Sequence, residues 1–318
     1  MTMHKKFFTI LLMPLILVSA LLSGCLSEES ENAKGEYKIS NINIFKDTPV
    51  WELAVAVKEQ KTATIEKLAK DKPELLNYQE PKYKLTLLLW AIGMEKYDAA
   101  EALLKCGADP NIASVRYETY SEQTPLSLAT RFSWIDNDAK EDPKYVKLLL
   151  KYGADPNWSY IGHEHGTEPG TSILMQSIGC GIEKTKALVE AGADINHKTK
   201  SGRTAAIKAL LAGSPTSTLE RNVYAHYLIV EKKAKILEPY YRLKTYDNED
   251  PNEQFFPVDL LRDWIYDIGS PRYKMKMEIV EEFARQGVNY WDTKIPSDSL
   301  KHIKKRHPDN WQEFIKQY

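Results

Sequence analysis

The phrase Gly-Ala-Asp-x-Asn occurs three times, at Gly107–Asn111, Gly153–Asn157 and Gly192–Asn196. Each copy follows a short apolar stretch with helical spacing: Ala102–Cys106, Lys147–Tyr152 and Ala187–Ala191. Upstream of each lies a matching start, Thr86-Leu-Leu-Leu-Trp-Ala91, Thr124-Pro-Leu-Ser-Leu-Ala129 and Thr171-Ser-Ile-Leu-Met-Gln176. A unit this short cannot bury its own apolar face. Its copies must stack, so that a continuous core forms only between neighbours.

Each residue type in the unit has a physical task. The threonine hydroxyl can cap the first helix, and proline at the next position suits the first helical turn. The glycine after the second helix takes the left-handed conformation that ends it. Asp and Asn just beyond it favour a tight turn by bonding nearby backbone amides. The leucine and alanine positions face the adjoining unit. On these two motif ends the chain resembles the ankyrin-repeat family, whose unit is a turn plus two helices with a T-P-L-H-x-A start. The resemblance implies an all-α fold, an ankyrin-repeat solenoid with finger loops.

Weaker copies flank the three. Thr48-Pro49 opens a first unit that closes near Lys72-Pro73, and Thr204–Ala209 opens another, with Lys233 where glycine stood. Pro257–Leu261 and Val280–Gly287 form a degenerate last one. The expected array spans residues 45–292 with about five repeats, followed by a helical cap at 293–318. Leu300, Ile303, Trp311, Phe314 and Ile315 supply the cap's apolar side chains.

Unit lengths are unequal. Thr86 to Gly107 and Thr171 to Gly192 each span 21 positions, but Thr124 to Gly153 spans 29, so 8 extra residues sit between the helices of that unit. Gly192 to Thr204 spans 12 positions, like a plain ankyrin finger, whereas the two preceding fingers span 17 and 18. By resemblance, ankyrin arrays bind partners through the finger tips and the concave face of the first helices. The two enlarged fingers hold Arg116, Tyr117, Tyr120, Trp158, Tyr160, His163 and His165, and the enlarged interhelix loop holds Trp134. Aromatic and arginine anchors carry much of the energy in protein interfaces. These residues therefore form the expected partner-binding set, the alternative being that the rings cover the array's own flank.

The N-terminus carries an address. Lys5 and Lys6 precede an apolar run, Phe7–Leu22, of about 16 residues, short of the roughly 20 that cross a hydrocarbon core and interrupted by Pro14. It ends in Leu22-Ser-Gly-Cys25, which resembles a bacterial lipobox. The resemblance implies removal of residues 1–24 as a signal peptide and lipidation of Cys25. Two or three acyl chains anchor a protein stably to a membrane. Residues 25–44 read as lipidated cysteine and flexible tether. Leu26, rather than aspartate, follows Cys25, which points to the outer membrane facing the periplasm.

Without residues 1–24 the chain has 41 basic against 44 acidic side chains, a balance of −3. Such a surface argues against nucleic acid, whose phosphates demand a basic excess. Cys106 and Cys180 lie two units apart, on the order of 20 Å at the usual helix spacing, too far for a disulfide. They read as separate free thiols. His163 and His165 could share a metal ion, but a zinc site needs a third protein ligand, and His197 and Glu168 are not forced together with them. No nucleophile elbow, zinc-protease or phosphate-loop motif is present. The expectation is a monomeric, cofactor-free, non-enzymatic binding module with a protein partner. Lipidated ankyrin proteins of this kind are similar to immunity lipoproteins that neutralise lipase-type toxins delivered by type VI secretion. The alternative is a scaffold or protective partner of a resident periplasmic enzyme.

Overall fold

The computed structural model describes residues 40–116, 121–131, 141–161, 167–212, 222–241, 250 and 252–318. Its regular structure is almost entirely helical and arranged in pairs. These are α1 (Trp51–Lys58) with α2 (Thr62–Asp71), α3 (Leu87–Gly93) with α4 (Tyr97–Lys105), and α5 (Pro125–Thr130) with α6 (Lys144–Lys151). Next come α7 (Ile173–Ser177) with α8 (Ile182–Glu190), and α9 (Ala205–Ala212) with α10 (Asn222–His226). A sixth pair joins the 3-10 helix Pro257–Asp263 to α11 (Pro271–Arg285). First helices pack in series from α1 through α3, α5 and α7 to α9, and α9 packs on Pro257–Asp263. Second helices pack α2 on α4, α6 on α8, and α8 through α10 to α11. Between α4 and α6 the Tyr97 and Tyr145 rings meet edge-on at 5.4 Å. One apolar core runs through the stack from Ile42 to Tyr290.

The unit starts are capped as their chemistry dictates, with one change of residue. Thr86, Thr124 and Thr204 accept at Oγ1 from the amides of Leu89, Ser127 and Ile207, at 3.1, 3.1 and 3.2 Å. In the fourth unit the cap is Ser172, which accepts from Met175, and not Thr171. Thr171 instead donates its hydroxyl to the Glu168 carbonyl inside the finger. The fourth finger thus extends one residue further than the threonine spacing implied, and the helix after it starts one residue later.

From the second unit on, the unit ends share a left-handed residue, whereas α2 ends at Lys72 with φ −141°. Gly107, Gly153, Gly192 and Gly287 have φ between 87° and 99°, and Lys233 takes φ 58° at the matching place. Approaching Lys233, the second helix loosens into a π turn, Tyr227–Glu231. The Ala234 amide there bonds back to Leu228, six residues earlier. In the other units the matching alanines, Ala108, Ala154 and Ala193, reach back five. One inserted residue is absorbed as a bulge without shifting the stack.

Beyond each of the three glycines, Asp and Asn divide the work. Asp109, Asp155 and Asp194 each accept from the amide two residues on, at 2.8 Å, closing their own turn. The asparagines reach across units. Asn77, Asn111, Asn157 and Asn196 accept at Oδ1 from the amides of Asp109, Asp155, Asp194 and Lys235, at 2.8–2.9 Å. Asn111 and Asn157 also donate to the Gly153 and Gly192 carbonyls. This ladder sets the register between units. Asn157→Ala removes two of its bonds and is expected to cost about 1–2 kcal/mol. Denaturant titration measures the loss, and hydrogen exchange should quicken at the Asp194 amide.

Both ends are covered. A 3-10 helix, Ile42–Phe45, capped by Asn41, buries Ile42 and Phe45 against α1. The folded array therefore begins before residue 45, and the last residues of the expected tether belong to it. At the other end, α12 (Ser297–Arg306) and α13 (Trp311–Phe314) enclose a second small core of Ile265, Ile303, Phe314 and Tyr318. Leu300 stands outside that core, half-buried. Lys301, Lys304 and Lys305 are exposed on α12. Among the described residues no helix is long and apolar enough to cross a membrane.

Candidate functional site

The enlarged segments gather around the third and fourth units. The third finger is a hairpin of β1 (Ser114–Arg116) and β2 (Ser121–Gln123), with Arg116 opposite Ser121. Behind it, the Val115 amide bonds the Tyr83 carbonyl of the preceding finger at 2.7 Å. The Arg116 side chain, Tyr117, Tyr120, Trp134, His163 and His165 lie outside the described residues, as does Cys25.

Trp158 and Tyr160, the remaining members of the expected set, turn inward. The Tyr160 ring is 1% exposed, and Trp158 is half-buried against the main core, the two rings meeting edge-on at 4.6 Å. Their backbones close the base of the fourth finger, through Tyr160 N–H to the Thr171 carbonyl and Ile173 N–H to the Trp158 carbonyl. Tyr160 is thus a packing residue and not a surface anchor. The reason is finger length: a longer excursion needs its own apolar filling where it leaves the stack. The neighbouring Ile161 is the apolar side chain that projects, 74% exposed.

Tyr160 has a second task at its polar end. Its hydroxyl accepts from Arg131 Nη2 at 3.1 Å and donates to Gln176 Oε1 at 2.9 Å. The Arg131 guanidinium lies 5.7 Å from the same ring. Arg131 follows α5, Gln176 lies on α7 and Lys208 on α9, so three successive first helices contribute to one face. Burial pushes the Lys208 ammonium below its ordinary pKa, the Cys180 thiol opposes that, and the positive charges of Arg131 and Arg203 lower it further. Arg203, in the fifth finger, sets its guanidinium 6.0 Å from the Tyr240 ring while its buried Nε finds no acceptor among the described residues. Lys208 is thus a half-buried cation whose charge both arginines oppose.

A buried lysine explains how the third unit tolerates its insertion. Lys184 of α8 donates to the carbonyls of Ala129 and Arg131, at 3.1 and 2.9 Å. It closes the end of the short helix α5 from the next unit, where the chain departs into the interhelix loop. Burial lowers its pKa. Beside it, Gly181 takes φ 113° and donates its amide to the Tyr224 hydroxyl at 2.9 Å.

Of the possible metal donors, His197 and Glu168 lie within the described residues, and one Glu168 oxygen, Oε2, is buried without a partner among them. His197 donates Nε2–H to the Gly170 carbonyl at 2.7 Å, and Glu168 accepts from the Ser201 hydroxyl at 2.8 Å. Among the described residues no three metal-binding side chains converge. Cys106 and Cys180 are both free thiols. Before the last unit, Tyr240 packs against Phe255 in the pairing of β3 (Tyr240–Tyr241) with β4 (Gln254–Phe255), while Phe256 is exposed.

Lys208, Arg203, Arg131 and Gln176 carry no motif, which is why motif reading passes over them. One signal was present. Four residues after the capping hydroxyl stand Trp90, Leu128, Gln176 and Lys208, so an apolar position turns polar and then charged along the array.

Comparison with known proteins places this architecture. The chain is 32% identical over 132 residues to human ankyrin repeat and SOCS box protein 6, and equally to the orangutan (Pongo abelii) protein of the same name. The likeness supports an ankyrin-repeat family. The aligned segment is 41% of this chain and 28% of each relative, so the chain spans well under half of the length of these proteins. No family model matches the chain.

Proposed function

We propose that this chain is a protein-binding ankyrin module held at the bacterial envelope, where it neutralises a toxic, lipase-type effector. The observation that carries the binding role is the asparagine-bonded stack. It locks successive fingers and first helices into one row, so neighbouring units present side chains together on a single surface. A surface assembled from several units is of the size that recognises a protein. The address rests on Leu22-Ser-Gly-Cys25. The toxin class rests on the similarity of lipidated ankyrin proteins to immunity lipoproteins. Anchored beside the bilayer, the array would meet a lipase where that enzyme must act, and block its active site or its access to lipid.

Deletion of the gene followed by challenge with an armed sibling strain tests the role. Loss of survival, restored by the intact gene, is the expected result; unchanged survival sinks the immunity reading. Cys25→Ser is expected to abolish incorporation of a palmitate analogue. If labelling persists, the anchor is elsewhere. The second reading, a scaffold for a resident envelope enzyme, is favoured instead if affinity capture with the full chain returns a metabolic or stress-defence enzyme.

A further inference from the structure

We propose that Lys208 and Arg203, with Arg131 beside them, form a socket for a carboxylate carried on a protruding acidic segment of the partner protein. The inference rests on the protein-binding reading and names the chemistry of one contact within it. Lys208 is half-buried on α9, and its ammonium makes no hydrogen bond or ion pair among the described residues. Arg203 keeps a buried Nε without an acceptor among the described residues. An unpaired cation withdrawn from water is a cost that a folded protein normally removes by pairing. The described residues show the usual remedy elsewhere: buried Glu282 is paired with Lys233 at 2.7 Å and with Arg285. On the first-helix face Lys208 lacks that remedy, and the neighbouring arginines repel it.

The surroundings fit an oxyanion. The Tyr160 hydroxyl holds the Arg131 guanidinium in place, and the Tyr240 ring flanks Arg203. A guanidinium offers a planar fork to a carboxylate, and an ammonium adds a point charge. Recess decides between ligands that carry such a group. A flat bilayer surface meets exposed lysines such as Lys301, Lys304 and Lys305 on α12, whereas the half-buried Lys208 of α9 is reached by a side chain that projects. An incoming carboxylate would stabilise the ammonium that burial and two arginines disfavour. Binding in alkaline buffer should therefore take up a proton.

The test is calorimetric titration of the full chain, purified in mild detergent, with a hexaglutamate peptide and separately with inorganic phosphate. The peptide is expected to bind, with proton uptake in alkaline buffers of differing ionisation enthalpy. Lys208→Met should weaken it roughly ten- to a hundredfold, while Lys305→Met on exposed α12 leaves affinity unchanged. Lys208→Met should also raise the melting temperature, because it removes a half-buried cation whose ammonium has no carboxylate among the described residues. No peptide binding, equal loss in both variants, or binding of phosphate alone overturns the socket. Failure here is separable from failure of the module reading. If a partner identified by capture still binds Lys208→Met as tightly as the native chain, the socket is wrong and the module stands.

Discussion

Arg262→Ala is expected to lower stability by about 3–5 kcal/mol, the largest effect of any single substitution outside the apolar core. Arg262 is 3% exposed and donates to Thr293 Oγ1 at 2.8 Å and to the main-chain oxygens of Tyr318, Tyr290 and Thr293, at 3.0, 2.9 and 3.3 Å. Its guanidinium also stacks 3.9 Å from the Tyr290 ring. Truncation leaves a cavity and strips buried oxygens of a donor, while the Tyr290 hydroxyl still reaches Tyr318 at 3.1 Å. Since units in such a stack depend on nearest neighbours, damage should stay local. Hydrogen exchange is expected to show lost protection in α12 and α13 with α3 to α8 little changed. Uniform loss across the stack would contradict this account.

Lys276 sharpens the point. It is 0% exposed, donates to the Trp264 carbonyl at 3.0 Å, lies 3.9 Å from the Tyr318 ring, and its pKa is driven well below the ordinary lysine value by burial and then by Arg262. Here the charge itself is a burden. Lys276→Met keeps the stem and the ring contact, and is expected to change stability by less than about 1.5 kcal/mol.

Gly181→Ala is the second large expectation, a loss of about 2–4 kcal/mol. Its φ of 113° strains any other residue, and a Cβ there would lie 2.8 Å from the Glu141 carbonyl oxygen and 2.9 Å from the Glu141 Cα. Backbone cannot rotate away as a side chain can. Gly107 is the control: its φ is 99°, but no described residue lies within 4 Å of an added Cβ. Gly107→Ala should cost only about 1–2 kcal/mol, the conformational part alone. Paired denaturant titrations separate the two, and equal losses would show that the contact with Glu141 does not matter.

Acid should loosen the last junction. Burial raises the Glu282 pKa, but the hydrogen bonds from Lys233, Arg285 and Gln286 outweigh it and leave the carboxyl below its ordinary value. A depressed folded pKa gives stability that is present above the unfolded value and lost as pH falls through the folded one. Melting temperature is therefore expected to fall below about pH 4, and less steeply in Glu282→Gln, whose starting stability is lower.

The repeat is legible because its signals are local. A cap needs a hydroxyl within three residues, a helix end needs a left-handed residue, and an aspartate closes the turn that holds it. Thr86, Gly107 and Asp109 report their roles from sequence alone. The cap of the fourth unit falls one place away from its expected residue for a reason of the same kind. Thr171 and Ser172 both carry a hydroxyl, and only the path of the long finger chooses between them. Tyr160 is buried where an exposed anchor was expected, because exposure is not a local property.

Stacked ankyrin-like units, unequal fingers and the lipobox-like Leu22-Ser-Gly-Cys25 were all determined by sequence, through short-range chemistry that each segment carries with it. The tertiary structure alone decided that the asparagines bond the next unit rather than their own. It also decided that Lys184 closes a helix 53 residues away, and that Lys208 comes within range of two arginines with no carboxylate on its ammonium among the described residues. Those outcomes depend on how far apart the chain places two groups in space, and along a stack that distance is set by packing between units.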